Sequence, residues 1–471
     1  MASREKSLAK NTLILTIGKI STQAISFFLL PLYTAYLSRE DYGIVDLLST
    51  LITLLLPILS LQMEQAIFRY MAEFRKDKER LKGIVSTSFT FLLIQVAIYI
   101  CLFCVIQLFI NNPYKWFVLT NLIAAVINFS LMQVLRGLGD NVGYAIAAFI
   151  GSVINICANL ILILGLHWGA ASMLTAAFIG NIVSIAYILY RARFWDYYEL
   201  KLFNKKELKE FLAYSIPLVP NELSWWAIRA SDRFIVTAVL GTAVNGIVAV
   251  ANKFPSIFIM VYNIFGIAWN ESIILHLKDE DGDVYFSNLL NKMIRLFSCA
   301  ALLLIVAMPV AFGVLVNENF NGAYNLIPLY MVGAILNVVI GLVSAVYIVH
   351  KQTKVIAKTS FISAVICVVS NLMLVRFIGV YASPVSSIIG FGIMVLYRGR
   401  DISRLVKVNW DVKYLLAYVA VLSLIFLFYY LPVSYLKYVA IAVAVIFSYI
   451  ANRKDIGSIC AFSFNKIKSI F

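Results

Sequence analysis

PLVPNELSWWAIRASDR, from Pro217 to Arg233, carries four charges within a run of sequence that is apolar on both sides. A charged group at the centre of a bilayer costs at least ~2.5–3.5 kcal/mol, so such groups face a bundle interior or a wet cavity. Glu222, Arg229 and Arg233 fall at i, i+7 and i+11, one stripe of a helix, and Asp232 stands beside it. Trp225 and Trp226 share the same turns, and Pro217 and Pro220 loosen the helix just ahead of them. The stretch reads as a polar site inside a membrane protein, with the two prolines as candidate hinges.

Composition supports that setting. Hydrophobic residues make up 62% of the 471 positions and charged residues only 13%, where a soluble domain carries about 25% charged; mean hydropathy is +0.89. The net charge of +15 does not imply nucleic acid, because the basic residues lie in short loops between apolar runs instead of on a soluble basic face. Six cysteines form no disulfide framework: Cys101, Cys104, Cys157, Cys299 and Cys367 sit in apolar spans and Cys460 in the tail, which suits packing. The first apolar segment is long, laced with polar residues and without a small-residue cleavage site, so no cleavable signal peptide is expected.

Apolar runs of about 20 residues predict helices near 11–37, 42–68, 83–110, 115–136, 142–166 and 168–190. A second set follows at 212–240, 243–272, 289–316, 324–349, 355–378 and 379–397, with two further spans at 412–431 and 434–451. The fold class expected is an all-α polytopic membrane protein of about 14 transmembrane helices. Residues 1–196 form one six-helix half, 197–407 a second, and 408–471 two additional helices with a basic tail. Counting Lys and Arg by loop puts 31 on the side of the N-terminus and 4 (Arg39, Lys115, Arg376, Lys437) on the other, the remaining four lying inside spans. By the positive-inside rule both termini are then cytoplasmic.

The halves repeat with a shift of 203 residues. LSREDYGIVDL (37–47) aligns with LGTAVNGIVAV (240–250), matching Leu37 with Leu240 and Gly43–Val45 with Gly246–Val248. Six spans per half make this a parallel repeat about an axis along the membrane normal, with a substrate site expected between the halves near the midplane.

The first helix has one polar face, Lys19, Thr22, Gln23 and Ser26, at i, i+3, i+4 and i+7. Lys253 lies about ten residues, roughly 15 Å, into the span after Arg229. Lys19, Arg229 and Lys253 suit an anionic ligand; the alternative reading makes Arg229 a structural partner of Glu222 and Lys253 one of Asp46 or Glu271. Arg233, directly beside Asp232, reads first as the partner of that carboxylate. Asp46, Glu64, Glu222, Asp232 and Glu271 are candidate proton or sodium carriers and, on the alternative reading, structural partners of the cations. Enzyme-like signals are thin. DEDGD (279–283) reads as a solvated acidic loop, and His167, His276 and His350 stand without a second ligand at metal spacing. No Gly-rich phosphate loop ending in Lys-Ser/Thr is present, so no nucleotide drive, no metal and no cofactor is expected.

Three segments resemble a known family: NTLILTIGKISTQAISFFLLPLYTAYLSREDYGIVDLLST (11–50), YSIPLVPNELSWWAIRASDRFIV (214–236) and NGIVAVANKFPSIFIMVYNIFGIAWNES (245–272). They are similar to the bacterial Wzx-type polysaccharide flippases, in the superfamily that includes multidrug extrusion and lipid II flippases. The resemblance covers nearly the whole chain. It implies an undecaprenyl-diphosphate-linked oligosaccharide flipped from the inner to the outer leaflet of the bacterial cytoplasmic membrane by alternating access. The pathway's polymerase and glycosyltransferases would be partners. It also implies a cationic cavity for the sugar diphosphate, which Lys19, Arg229, Lys253, Arg233 and the neighbouring Gln23 fit. The lipid II branch carries several arginines in its first two spans; the single interior Lys19 here argues against that role. Moving about two negative charges out of a cell that is negative inside gains ~4.6 kcal/mol per 100 mV, so the membrane potential or a coupled H+ or Na+ are the available drives. Two other classes compete: a multidrug or small-solute antiporter of the same superfamily, which would favour acidic cavity groups, and a membrane polymerase or ligase, which would need a large outer loop.

Overall fold

Helix boundaries follow from side chains that accept the orphan amides of a first turn. Ser38 accepts from the Asp41 N–H, Asp77 from Arg80, Asp140 from Gly143, Asn204 from Lys206 and Glu207, and Asp411 from Tyr414, each such cap being worth about 1 kcal/mol. The computed structural model describes Phe27 and residues 29–468 other than 110, 278, 351 and 432. Among these every regular element is helical. The helices are α1 (Leu30–Tyr36), α2 (Arg39–Ser60), α3 (Met63–Glu73), α4 (Lys78–Ile106), α5 (Lys115–Leu138), α6 (Asn141–Leu160), α7 (Ala170–Arg191), α8 (Lys205–Ser215) and α9 (Val219–Leu240). Then come α10 (Thr242–His276), α11 (Gly282–Leu315), α12 (Ile327–Val349), α13 (Thr353–Ile378), α14 (Ala382–Asp401), α15 (Val412–Tyr430) and α16 (Ser434–Lys468).

Eleven stretches among the described residues are long and apolar enough to cross a membrane, and the protein is a multi-pass membrane protein. One of the eleven, Lys354–Arg404, contains both α13 and α14. The charged helix α9 falls outside that apolar set, and the expected first span, 11–37, lies largely outside the described residues. The expected count of about fourteen is compatible with these helices.

Two expected helices are interrupted. The span expected over 42–68 breaks at Leu61 (φ 48°, ψ 32°) and Gln62 (φ 56°, ψ 29°), two successive left-handed residues that are not glycine. Each such conformation costs about 1–2 kcal/mol, and Pro57 inside α2 weakens the preceding turn by withholding an N–H. The span expected over 212–240 is divided by a 3-10 turn at Ile216–Leu218, between Ser215 and Val219, where Pro217 and Pro220 stand.

Packing divides the chain into two compact units, 1–249 and 250–471. Thus α8, α9 and the first turns of α10 associate with the N-terminal unit, although span counting assigns them to the second half. The core of the first unit is built from Met63, Ile67 and Met71 of α3 against Leu122, Val134 and Leu135 of α5, Val85 and Phe89 of α4, Ile188 of α7 and Phe211 of α8. Lipid-facing surface is explicit on α4, where Leu93, Ile94, Ile98 and Leu102 are all exposed. In the second unit the Trp269 indole, 1% exposed, donates to the Leu342 carbonyl at 3.1 Å. The buried Arg398 guanidinium donates to Ser344 Oγ (2.6 Å), Thr359 Oγ1 (2.9 Å from Nε), Ser360 Oγ and the Ile356 carbonyl (both 3.1 Å). It thereby pins α12, α13 and α14 together through neutral acceptors, as a buried guanidinium requires.

Candidate functional site

Two polar constellations occupy the first unit. The first joins α2, α9 and the start of α10. Arg233 lies between two carboxylates, with its Nη1 2.7 Å from Asp232 Oδ1 and its Nε 3.3 Å from Asp46 Oδ2. The side chains of Arg233 and Asp232 are only 12% and 11% exposed. Asn245 donates to the Gly43 carbonyl at 2.9 Å and to Asp46 Oδ2 at 3.4 Å, and the Trp226 indole donates to the Thr50 carbonyl at 3.1 Å. A Cβ on Gly43 would overlap the Thr242 carbonyl oxygen and one on Gly246 that of Arg39, so the two glycines permit direct backbone contact between the starts of α2 and α10.

The second is a cavity of about 570 Å³ among α2, α3, α5, α6, α7 and α9. Its lining is unusually rich in carboxamides: Gln62, Gln65, Asn128, Gln133, Asn155 and Asn181. Ser152, Ser184, Tyr144, Phe129 and the charged groups Glu64, Glu222 and Arg136 complete the polar and aromatic wall. The sequence folds this way because α6 and α7 approach closely at Gly151 and Gly180, where a Cβ on Gly180 would stand 2.6 Å from the Gly151 carbonyl oxygen. That approach turns Ser152 and Asn155 of α6 and Asn181 and Ser184 of α7 into one wall. Across from them the break at Leu61–Gln62 presents the Gln62 side chain and the first turn of α3. A helix interrupted beside a polar cavity is how membrane proteins place non-helical backbone at depth, and left-handed non-glycine residues concentrate at such sites.

Within the cavity some groups are already partnered. The Asn128 amide donates to Asn181 Oδ1 at 2.8 Å, Ser184 Oγ donates to Asn128 Oδ1 at 3.0 Å, and Asn159 Nδ2 donates to Asn155 Oδ1 at 2.5 Å. Arg136 donates to Gln133 Oε1 at 2.9 Å and lies over the Phe68 ring at 4.2 Å.

Five of the residues expected from sequence fall in the two constellations. Asp46, Asp232 and Arg233 are brought together in the first, and Glu64, 5% exposed, and Glu222 in the second. Arg229 is exposed on α9, with its guanidinium over the Trp225 ring at 5.1 Å, and makes no ion pair with Glu222 among the described residues. Lys253 is half-buried on α10 in the second unit. Lys19, Gln23 and the Glu271 side chain lie outside the described residues. The amide wall is what charge-based reading missed. Its signal is a neutral stripe in otherwise apolar spans: Ser152, Asn155 and Asn159 at i, i+3 and i+7, and Asn181 with Ser184 at i, i+3.

Comparison with known proteins adds the family. The family model described as polysaccharide biosynthesis protein matches residues 8–270. Among curated proteins none matches the sequence. Among solved structures the chain is similar to the lipid II flippase MurJ in an inward closed conformation, at 16% identity and a TM-score of 0.67, covering 94% of this chain and 100% of that one. An inward-facing multidrug resistance MATE family transporter of the MOP superfamily gives the same identity and TM-score over 81% of this chain and 95% of that one. Its outward-facing counterpart gives 15% identity and a TM-score of 0.59 over 85% and 96%. The chain therefore belongs to the polysaccharide biosynthesis protein family, on the fold seen in MurJ and the MATE transporters.

Proposed function

We propose that the protein flips a polyprenyl-diphosphate-linked oligosaccharide repeat unit from the inner to the outer leaflet of the bacterial cytoplasmic membrane by alternating access, for surface polysaccharide assembly. Membership of the polysaccharide biosynthesis family over residues 8–270 carries the reading. The polar cavity of about 570 Å³ within an otherwise lipid-facing helical unit supports it, because a hydrated head group needs polar walls to cross an apolar slab. Both termini are cytoplasmic in this reading. The membrane potential acting on the diphosphate, with or without a coupled H+ or Na+, drives export, and the pathway's polymerase and glycosyltransferases act on either side of the step. Deletion of the gene should leave lipid-linked repeat units on the inner leaflet and abolish surface polymer; units reaching the outer leaflet at the wild-type rate would refute the proposal. The two cavity carboxylates, Glu64 and Glu222, favour a second reading, export of organic cations. On that reading the deletion strain becomes sensitive to cationic drugs and keeps its polymer.

A further inference from the structure

The cavity of the first unit is the wrong place for a diphosphate. Among the described residues its one basic lining residue, Arg136, donates to Gln133 and lies over the Phe68 ring, and two carboxyl side chains, Glu64 and Glu222, share the lining with it. Two carboxylates to one guanidinium leave the lining short of the positive charge that a phosphate or carboxylate needs.

What the lining offers is neutral hydrogen bonding. The Gln65 carboxamide has no protein partner among the described residues, and Asn181 accepts from Asn128 with its own amide donors left over. Each primary amide presents a coplanar donor and acceptor, a match for adjacent hydroxyls or an acetamido group on a sugar ring. Phe129 and Tyr144 supply apolar ring surface for the C–H face of a pyranose. The volume, about 570 Å³, is that of a small-molecule site.

We propose that this cavity is a subsite for uncharged, hydroxyl- and acetamido-bearing sugar units, with the diphosphate of the same substrate held elsewhere. This rests on the flippase reading. Gln65 and Asn181 are the residues that read the sugar, and glycans with a carboxylated sugar at this position are disfavoured, because the lining offers a single guanidinium beside two carboxyl groups.

The test uses the full chain in lipid nanodiscs with two synthetic probes, undecaprenyl diphosphate alone and the same lipid carrying a neutral N-acetylglucosamine-galactose disaccharide. The wild-type protein should bind the glycosylated probe about tenfold more tightly, the factor that two neutral hydrogen bonds supply. Gln65→Leu and Asn181→Leu should each remove most of that preference and leave affinity for the bare lipid within about twofold, which also reports that the variant is folded; Gln65→Leu breaks no protein hydrogen bond. Replacing the sugar next to the diphosphate by glucuronic acid should abolish the preference in the wild type. A full preference retained in both variants, or no preference in the wild type, overturns the subsite. So does stoichiometric sodium binding that is lost in the variants while the sugar preference stays. Failure of the wild type to bind either probe overturns the flippase reading as well.

Discussion

Gly43 and Gly246, 203 positions apart, pack backbone against backbone in a reciprocal way: a side chain on Gly43 would strike Thr242, and one on Gly246 would strike Arg39. Arg39 and Thr242 are themselves separated by 203 residues. Such an exchange of partners is the mark of a two-fold relation, here between the starts of α2 and α10. Gly43→Ala should lower the thermal midpoint of the purified protein, with overpacking costing about 1–3 kcal/mol. Gly313→Ala, inside a helix where a Cβ meets nothing within 4 Å, should hold or raise the midpoint. Equal midpoints for the two variants would contradict the close contact.

The Arg233 network sets an order of severity. Removing Arg233 leaves Asp46 and Asp232 without their shared cation, a loss in the range of about 3–5 kcal/mol for an enclosed pair. Asp46→Asn should be milder, because Asp232 still holds the guanidinium at 2.7 Å. Fluorescence-detected melting of Arg233→Ala and Asp46→Asn checks this, and the reverse order would count against the network as described.

Asp140 gives a pH signature outside the membrane-spanning segments. Partial burial alone would raise its carboxyl pKa, but the hydrogen bond from Arg191 at 2.8 Å, the Gly143 N–H and the Arg191 charge together bring it below the ordinary aspartate value. A depressed folded-state pKa contributes stability that is present above the unfolded value, near 3.9, and lost as pH falls through the folded one. Asp140→Asn keeps the helix cap and removes the charge. It should be less stable than wild type by about 0.2–1 kcal/mol at neutral pH, with the gap closing below pH 4. A gap that widens on acidification would show the sign to be wrong.

Much of the fold was legible in the residues themselves. Charge and hydropathy place the spans. The glycine pair shows in the repeat of Gly-Ile-Val. The break at Leu61–Gln62 was not legible, since neither residue is a turn former. Nor was the amide cavity. Neutral amides lack the desolvation cost that makes a charge conspicuous in a span, and pairing Asn128 with Asn181 across 53 residues is decided by the packing of α5 on α7.

The expected diphosphate cations make a separate prediction. Arg229→Ala and Lys253→Ala, made singly, should each cut surface polysaccharide by roughly tenfold or more, the effect of losing one charge-assisted hydrogen bond, while the protein still reaches the membrane. Quantitative polymer blots normalised to membrane protein level measure it. Normal polymer in both variants would remove these residues from the binding account.

Leaflet transfer itself is the most direct test. Proteoliposomes containing the purified full chain and a fluorescent undecaprenyl-diphosphate-linked oligosaccharide, with a membrane-impermeant glycosidase outside, report how fast the sugar head crosses. The account predicts that the protected inner pool becomes cleavable only when the protein is present, and faster under a potential that draws negative charge outward. An inner pool that stays as protected as in protein-free vesicles would contradict it.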